Sequence, residues 1–268
     1  MRVDSYMLKS ASMVFRDMYW PDQSCQHDES SSNTPIIERL PDDDPDAMEM
    51  ICNVLHHNGT AISRSIEAER LLHTAHFVNK YLLHRALNYH VSTWFEGIHV
   101  NIDNNDLVKC LHAALILEQR QPFKYITKAL VLRYDLAFVN TTRETTLNSM
   151  AKIACDLEAE RSRIQTRLMN HLYAVLDHFG NGACRCSNDY VKLLDRDMRM
   201  QGVHPMVIPN RPLAAYLNGL YHLQRPGVCS EHECNGAGGS AAAARWTEIE
   251  AADAVAMTFA GLALGAYI

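Results

Sequence analysis

Apolar residues recur every three or four positions through most of this sequence, which is the spacing of one face of an α-helix. The pattern begins with Leu8, Ala11, Phe15 and Met18, and it returns in segment after segment as far as residue 223. A short apolar run at residues 35–40 instead indicates a strand. The sequence therefore predicts a mainly helical α+β protein with one short strand near residues 36–40.

Four helices are expected in the first hundred residues, and one of them has a well-marked start. Asp44 can accept hydrogen bonds from the free amides of a new helix, and Pro45 suits the first helical position because its missing N–H costs nothing there. Asn58 and Gly59 are typical of the turn that ends a helix. The expected helices cover residues 5–20, 45–57, 67–81 and 83–95, with Tyr81 and Trp94 buried between them.

Helical spacing continues beyond Gly97. It predicts helices over residues 103–118, 122–138, 142–179, 189–200 and 211–223. The longest of these could form a coiled coil with a partner. However, Arg161 interrupts its apolar face, so packing within the same chain is the favoured interpretation. The Gly-rich residues 235–240 indicate a linker before an Ala-rich tail.

The composition is that of a globular protein without a nucleic-acid-binding surface. The 268 residues are 47% hydrophobic and 21% charged, and 25 basic against 31 acidic residues leave a net charge of −6, which argues against nucleic acid as a partner. No apolar signal peptide opens the sequence, and residues 251–268 are short for a membrane span and include Asp253. We therefore expect an intracellular protein of the cytoplasm or nucleus, with no membrane partner and with reduced cysteines.

Recognisable catalytic motifs are missing from the sequence. It contains no Gly-x-Ser-x-Gly elbow, no phosphate-binding Gly-rich loop and no His-Glu-x-x-His pair. The acidic run at residues 42–46 lacks the spacing of a calcium loop, and helix capping explains it. Several helical histidines are best explained as ordinary surface or capping residues, namely His56, His57, His73, His76, His84 and His90. We therefore expect no enzymatic activity.

Two clusters of cysteine and histidine in the C-terminal half could meet in space. Cys184 and Cys186 form a close pair, and Cys229, His232 and Cys234 follow some forty residues later. Four of these side chains would satisfy the tetrahedral coordination of a structural zinc ion, and no other cofactor is expected. The first pair is Cys-x-Cys rather than Cys-x-x-Cys, so a disulfide or redox role and unrelated thiols remain alternatives. Three other cysteines in helical stripes are interpreted as small core residues: Cys52, Cys110 and Cys155.

Residues 3–97 contain three small motifs in a characteristic order. The first is a short strand and a Leu-x-x-Ala-Ser-x-x-Phe helix, carried by Val3, Ser5, Leu8, Ala11, Ser12 and Phe15. The second is a short strand and an acidic, Pro-containing helix start, residues 37–45, with Ala47 and Met48 after it. The third is a helical hairpin with Leu72, Ala75, Lys80, Tyr81, Ala86, Leu87 and Trp94. In order and spacing these motifs resemble a BTB/POZ domain of the type common in fungal proteins.

The resemblance implies a particular organisation of the chain. It places a BTB/POZ-like domain at residues 1–97, a helical extension at 98–228, a Cys/His and Gly-rich linker at 229–240 and the Ala-rich tail at 241–268. The family begins with a strand, often Asp-x-x-Val-x-Val, and has a fuller second strand, and this sequence contains neither. The expected fold is therefore a truncated, mainly helical module with a short residual sheet and an unpaired sheet edge.

The resemblance also implies a function in binding proteins, because BTB domains associate with themselves or with other proteins. Many dock onto cullin-type ubiquitin-ligase scaffolds as substrate adaptors, so such a scaffold is a candidate partner. Apolar residues of the first helix are the expected contacts for a second copy or another protein: Met7, Met13, Val14 and Tyr19. The alternative function is that of a zinc-stabilised helical regulator whose C-terminal half binds the partner.

Overall fold

The computed structural model describes residues 2–19, 37–59, 65–98, 102–134, 138, 148–180, 185–204, 212–223 and 259–268 of the chain. Its contacts divide the chain into two compact units. The first comprises Met1–Ile126 with Ala263–Ala266 and Ile268, and the second comprises Thr127–Leu262 with Tyr267. The domain boundary expected after Gly97 is based on the BTB/POZ resemblance. These contacts do not test it, so it stays a prediction.

Helices make up most of the described chain. Those of the first unit are α1 (Ser5–Ala11), α2 (Met13–Tyr19), α3 (Pro45–Leu55), α4 (Ala68–Lys80), α5 (His84–Glu96) and α6 (Asn104–Ile116). The next helix, α7 (Arg120–Arg133), begins in the first unit and ends in the second. The second unit contains α8 (Asn148–Gly180), α9 (Arg185–Gln201) and α10 (Leu213–Tyr221). A 3-10 turn at Leu264–Ala266 belongs to the first unit. A mainly helical protein is therefore confirmed.

The short strand and residual sheet expected near residues 36–40 are not found in the described chain. Residues 37–40 have no regular secondary structure, and Ile37 is 84% exposed. A strand needs a neighbouring backbone to receive its hydrogen bonds, and the described residues provide no such ladder. Instead, the Asp43 N–H donates to the Leu40 carbonyl at 3.3 Å in the turn that leads into α3.

The single helix expected at residues 5–20 is wrong, because the chain forms two helices separated at Ser12. Ser12 has an extended backbone, with φ −139° and ψ 128°. Its side-chain oxygen accepts a hydrogen bond from the Phe15 N–H at 3.1 Å, which satisfies one of the free amides at the start of α2. Leu8 on α1 and Phe15 on α2 are both buried, so the two short helices face one core.

The start of α3 is the one that its sequence predicts. Asp44 is the N-cap, and its Oδ1 accepts a hydrogen bond from the Ala47 N–H at 2.7 Å, while Pro45 takes the first helical position. The helix ends at Leu55, and His57, rather than Gly59, adopts the left-handed conformation, with φ 56°. A hydrogen bond from the Asn58 N–H to the Asn53 carbonyl (2.9 Å) closes this turn.

The expected helical hairpin is α4–α5, and its large rings lie in the core of the first unit. Tyr81 and Trp94 are each 1% exposed, which confirms their predicted burial. Leu82 forms the turn between the helices with φ 52°, and the Leu83 N–H donates to the Val78 carbonyl at 2.9 Å. Among the described helices of the first unit, α4 and α6 make the most extensive contact.

The 33-residue helix α8 packs within its own chain. Its apolar positions are buried at Met150, Ala154, Leu157, Ile164, Leu168, Leu172 and Val175. Arg161 interrupts this row, as the sequence predicts. Although it is charged, it is buried, with only 7% of its surface exposed. Its guanidinium carbon lies 4.0 Å from the centroid of the Phe138 ring, where a cation is attracted by the face of the ring. The same-chain interpretation of this helix is therefore confirmed.

Candidate interaction surface

The helices α1 and α2 are held in place by Ser12, which connects them to the end of α4. The Ser12 hydroxyl, 2% exposed, donates a hydrogen bond to the Tyr81 carbonyl at 2.6 Å while it caps α2. The Phe15 ring stacks on the Tyr81 ring with centroids 4.3 Å apart and an interplanar angle of 9°. The buried Ser12 hydroxyl thus both donates and accepts a hydrogen bond. Together with the aromatic stack, these hydrogen bonds fix the orientation of the two short helices.

The acidic run before α3 meets the same tyrosine. Asp43, whose side chain is 5% exposed, accepts hydrogen bonds from the Tyr81 hydroxyl at 2.5 Å and from Lys80 Nζ at 2.7 Å. Burial, and then the hydrogen bond to Asp43, raise the pKa of Tyr81 well above its ordinary range, so its hydroxyl stays protonated and remains a donor. These contacts, and the capping by Asp44, bear out the expectation that the acidic run has a structural role.

A histidine fixes the start of α1. The Asp4 N–H donates to His56 Nε2 at 2.8 Å, and His56 Nδ1 lies 2.8 Å from the Cys52 carbonyl oxygen. Because Nε2 accepts a hydrogen bond, the ring proton belongs on Nδ1, where it is donated to that carbonyl. Asp4 in turn caps α1 by accepting from the Tyr6 N–H at 2.8 Å.

Apolar side chains remain exposed around these fixed helices. Of the four contact residues that the sequence predicts, Met13 is 60% exposed, whereas Met7, Val14 and Tyr19 are half-buried. Sequence reasoning missed three others, which are Tyr6 (72% exposed), Met18 (38%) and Ile37 (84%). We name Tyr6, Met7, Met13, Val14, Met18, Tyr19 and Ile37 the α1–α2 surface.

Met18 and Ile37 were missed for different reasons. In a single helix Met18 would continue the apolar face of Leu8 and Phe15, but the break at Ser12 changes the register of the second helix. The apolar run that contains Ile37 predicts a strand, and residues 37–40 do not form one. The neighbouring Glu38 acts on Tyr19, whose pKa is raised first by burial and then by the Glu38 charge. Glu38 therefore lies within electrostatic range of Tyr19 at the end of α2, and no local pattern could have indicated this.

The predicted zinc ligands lie almost entirely outside the described residues. This holds for Cys184, Cys229, His232 and Cys234, and for the side chain of Cys186, whose backbone belongs to α9. The zinc site and the alternative function built on it stay predictions. Within the ranges that the structure describes, no group of three or more His, Cys, Asp or Glu side chains could hold a metal ion.

Two of the three cysteines expected in the core are there. Cys52 and Cys110 are buried, and burial raises the pKa of Cys52 to about 11 and that of Cys110 to about 12. Their thiols are thus protonated and unreactive at neutral pH. Cys155 is exposed, so its assignment to the core is wrong. The buried row of α8 passes through its neighbour Ala154, and Cys155 points away from it.

Comparison of the chain with family models, with curated proteins and with solved structures finds no match. In the described ranges, no helix combines the length and the apolarity that crossing a membrane requires.

Proposed function

We propose that the protein is a protein–protein interaction module of the BTB/POZ type. In this proposal it associates with a second copy of itself through the α1–α2 surface, and it acts by binding rather than by catalysis. The observation that carries the proposal is that Tyr6, Met13 and Ile37 each expose more than half of their side chains beside rigidly held helices. Burial of apolar area stabilises a complex by about 25 cal/mol per Å². The cytoplasm or nucleus stays the predicted compartment.

The contacts between residues of the family motifs support the BTB/POZ assignment. Ser12 and Phe15 come from the first motif, Asp43 from the second and Tyr81 from the third. These four residues contact one another through a hydrogen bond of 2.6 Å, an aromatic stack and a hydrogen bond of 2.5 Å. Motifs that are distant in sequence thus have a common physical role, which is to position α1 and α2.

The charges on these helices favour a second copy as the partner. An interface between two copies related by a two-fold axis must be complementary to itself. Both signs of charge are available next to the apolar side chains, with Arg16 on one hand and Asp4 and Asp17 on the other. Arg16 and Asp17 are well exposed and lie 3.6 Å apart. A cullin-type scaffold is the partner suggested by the resemblance alone, and it enters as an outcome of the test.

Sedimentation velocity over a concentration series tests the proposal. The unmodified protein should form a reversible dimer, and Met13→Asp should weaken the dimer at least about tenfold, since a charge would be buried in an apolar contact. Met13 is changed alone because Val14 is half-buried and its replacement could disturb the fold. Met200→Asp is the matched control, because Met200 is 78% exposed on α9 in the second unit.

Circular dichroism and thermal melting should show that both variants keep the fold. A protein that stays monomeric at every concentration would contradict self-association. Equal weakening by Met13→Asp and Met200→Asp would contradict the choice of surface. If a monomeric protein binds a purified cullin-type scaffold in a Met13-dependent way, the surface is right and the second copy is the wrong partner.

A further inference from the structure

The contact between α4 and α6 contains a buried histidine. Both helices bury aliphatic side chains, including Leu71 and Val78 on α4 and Leu107 and Leu111 on α6. His112 on α6 is buried with them at 7% exposure, and its Nε2 has no hydrogen-bond partner among the described residues. A neutral imidazole tolerates such a position far better than an imidazolium, which would bring an unsatisfied charged N–H into an apolar interior.

His112 is the inner end of a row of three histidines. The His76 ring on α4 meets the His112 ring edge-on, with centroids 5.4 Å apart and an interplanar angle of 89°. His73 lies one turn earlier on α4, where its Nδ1 is 3.2 Å from Asp44 Oδ2 and its Nε2 is 3.3 Å from Glu69 Oε1. We name His73, His76 and His112 the histidine row. It leads from a charged rim into the α4–α6 contact.

The other charged and titratable groups around the row are unevenly placed. They come from α4 itself, from α6 and from the cap of α3: Glu69, Asp106, Lys109, Cys110 and Asp44. Lys109 is paired with Glu69 and lies 3.5 Å from Asp106. The buried Cys110 thiol is protonated at neutral pH. His84 of α5 contacts the Ile116 carbonyl at 3.2 Å, one turn beyond His112 on α6. The two carboxylates that act on the row therefore do so at His73, its outer end.

We propose that the histidine row makes the contact between α4 and α6 sensitive to pH, so that the two helices loosen from each other in a mildly acidic medium. Asp44 and Glu69 contact His73, at the rim of the row. A proton on His112 enters an apolar surrounding, and two protons on neighbouring rings of the row repel each other. Opening the contact brings the buried His112 ring into water, where it accepts a proton without that penalty.

The direction of the pH effect follows from the pKa values. Burial lowers the pKa of His112 from its ordinary value of 6.5, and His76 lowers it further. Burial likewise lowers the pKa of His76, with His73 as the second cause. The closed contact thus binds fewer protons than the open one, so acid favours opening. The contact is at full strength above a pH of about 6.5 and weakens as the pH falls through the lowered pKa values.

Hydrogen exchange at pH 7.5 and 5.5, corrected for intrinsic exchange rates, tests the proposal on the full chain. Protection of α4 and α6 should fall several-fold at the lower pH, because His112 has its ordinary pKa of 6.5 in the open state and a lower pKa in the closed contact. His112→Leu should abolish most of this loss because it removes the buried titrating ring. His90→Gln is the control and should keep the whole loss, since His90 lies on α5 outside the row. An unchanged protection in the unmodified protein, or an equal loss in His112→Leu, overturns the proposal.

A measurement on the unmodified protein guards against a variant that fails to fold. Titration of the His112 ring by NMR should give a midpoint below the ordinary value of 6.5. A midpoint at or above that value overturns the proposal, whatever the variants do. Since the histidine row lies outside the α1–α2 surface, Met13→Asp should leave the pH effect unchanged, and the failure of one proposal does not entail that of the other.

Discussion

Leu82 adopts the left-handed backbone conformation, with φ 52°, at the turn that connects α4 to α5. This conformation costs a residue with a Cβ atom roughly 1–2 kcal/mol, whereas glycine adopts it freely. The Leu82 side chain is 56% exposed, so its removal loses little burial. Leu82→Gly should therefore stabilise the first unit by about 0.5–1 kcal/mol in urea unfolding. Leu82→Ala keeps the strain and should bring no such gain, and equal stability of the two variants would contradict the explanation.

Gly219 presents the opposite case, because a side chain at this position has no room. A Cβ atom added to Gly219 in α10 would lie 2.5 Å from Val203 Cγ1 and 3.0 Å from the Gln201 carbonyl oxygen. Val203 is fully buried and cannot move outward without disturbing its neighbours. Gly219→Ala should therefore destabilise the second unit by about 1–3 kcal/mol, despite the better helix propensity of alanine.

Gly180 at the end of α8 is the matched control for this effect. An added Cβ atom there meets nothing within 4 Å. Gly180→Ala should leave the thermal melting temperature unchanged or raise it slightly. If both alanine variants melt alike, close packing at Gly219 is not the reason for its glycine.

At the scale of the elements, Leu262 and Tyr267 near the C-terminus are firmly held in the second unit. The Tyr267 hydroxyl donates to Asp156 Oδ2 at 2.6 Å, and Lys152 Nζ lies 5.0 Å from the centroid of the Tyr267 ring. The Ser149 hydroxyl donates to the Tyr267 carbonyl at 3.2 Å, and the Leu262 N–H donates to Thr127 Oγ1 at 2.9 Å. These contacts join the end of the chain to α7 and α8.

Loss of the Tyr267 hydroxyl should loosen this segment. A hydrogen bond to a charged group contributes about 1.5–3 kcal/mol, so Tyr267→Phe should raise hydrogen exchange in residues 259–268 about tenfold or more. Tyr89→Phe, which alters a 78% exposed tyrosine on α5, serves as the control and should change nothing in that segment. Unaltered exchange in the Tyr267 variant would show that the remaining contacts alone hold the segment.

At the scale of the whole molecule, the sequence predicts the features that neighbouring residues determine, and it misses those that depend on contacts with distant residues. The start of α3 follows from Asp44 and Pro45, and the buried face of α8 follows from its periodicity. The break at Ser12 depends on the Tyr81 carbonyl, 69 residues away, and no local signal contains that information. The exposure of Ile37 has the same kind of cause, since a strand forms only where another backbone is available. The predicted zinc ligands lie almost entirely in the parts of the chain that the structure does not describe.

The long separation between Ser12 and Tyr81 affects how the chain is made. Ribosomes add about 5–20 residues per second, so Tyr81, which follows Ser12 by 69 positions, is added roughly 3–14 s later. During that interval the Phe15 ring has no Tyr81 ring on which to stack, and the Ser12 hydroxyl lacks its acceptor. The N-terminal helices thus emerge first but can dock only after α4 is complete. In every molecule the apolar α1–α2 segment passes through a period in which it is more open to chaperones and to aggregation than in the finished fold.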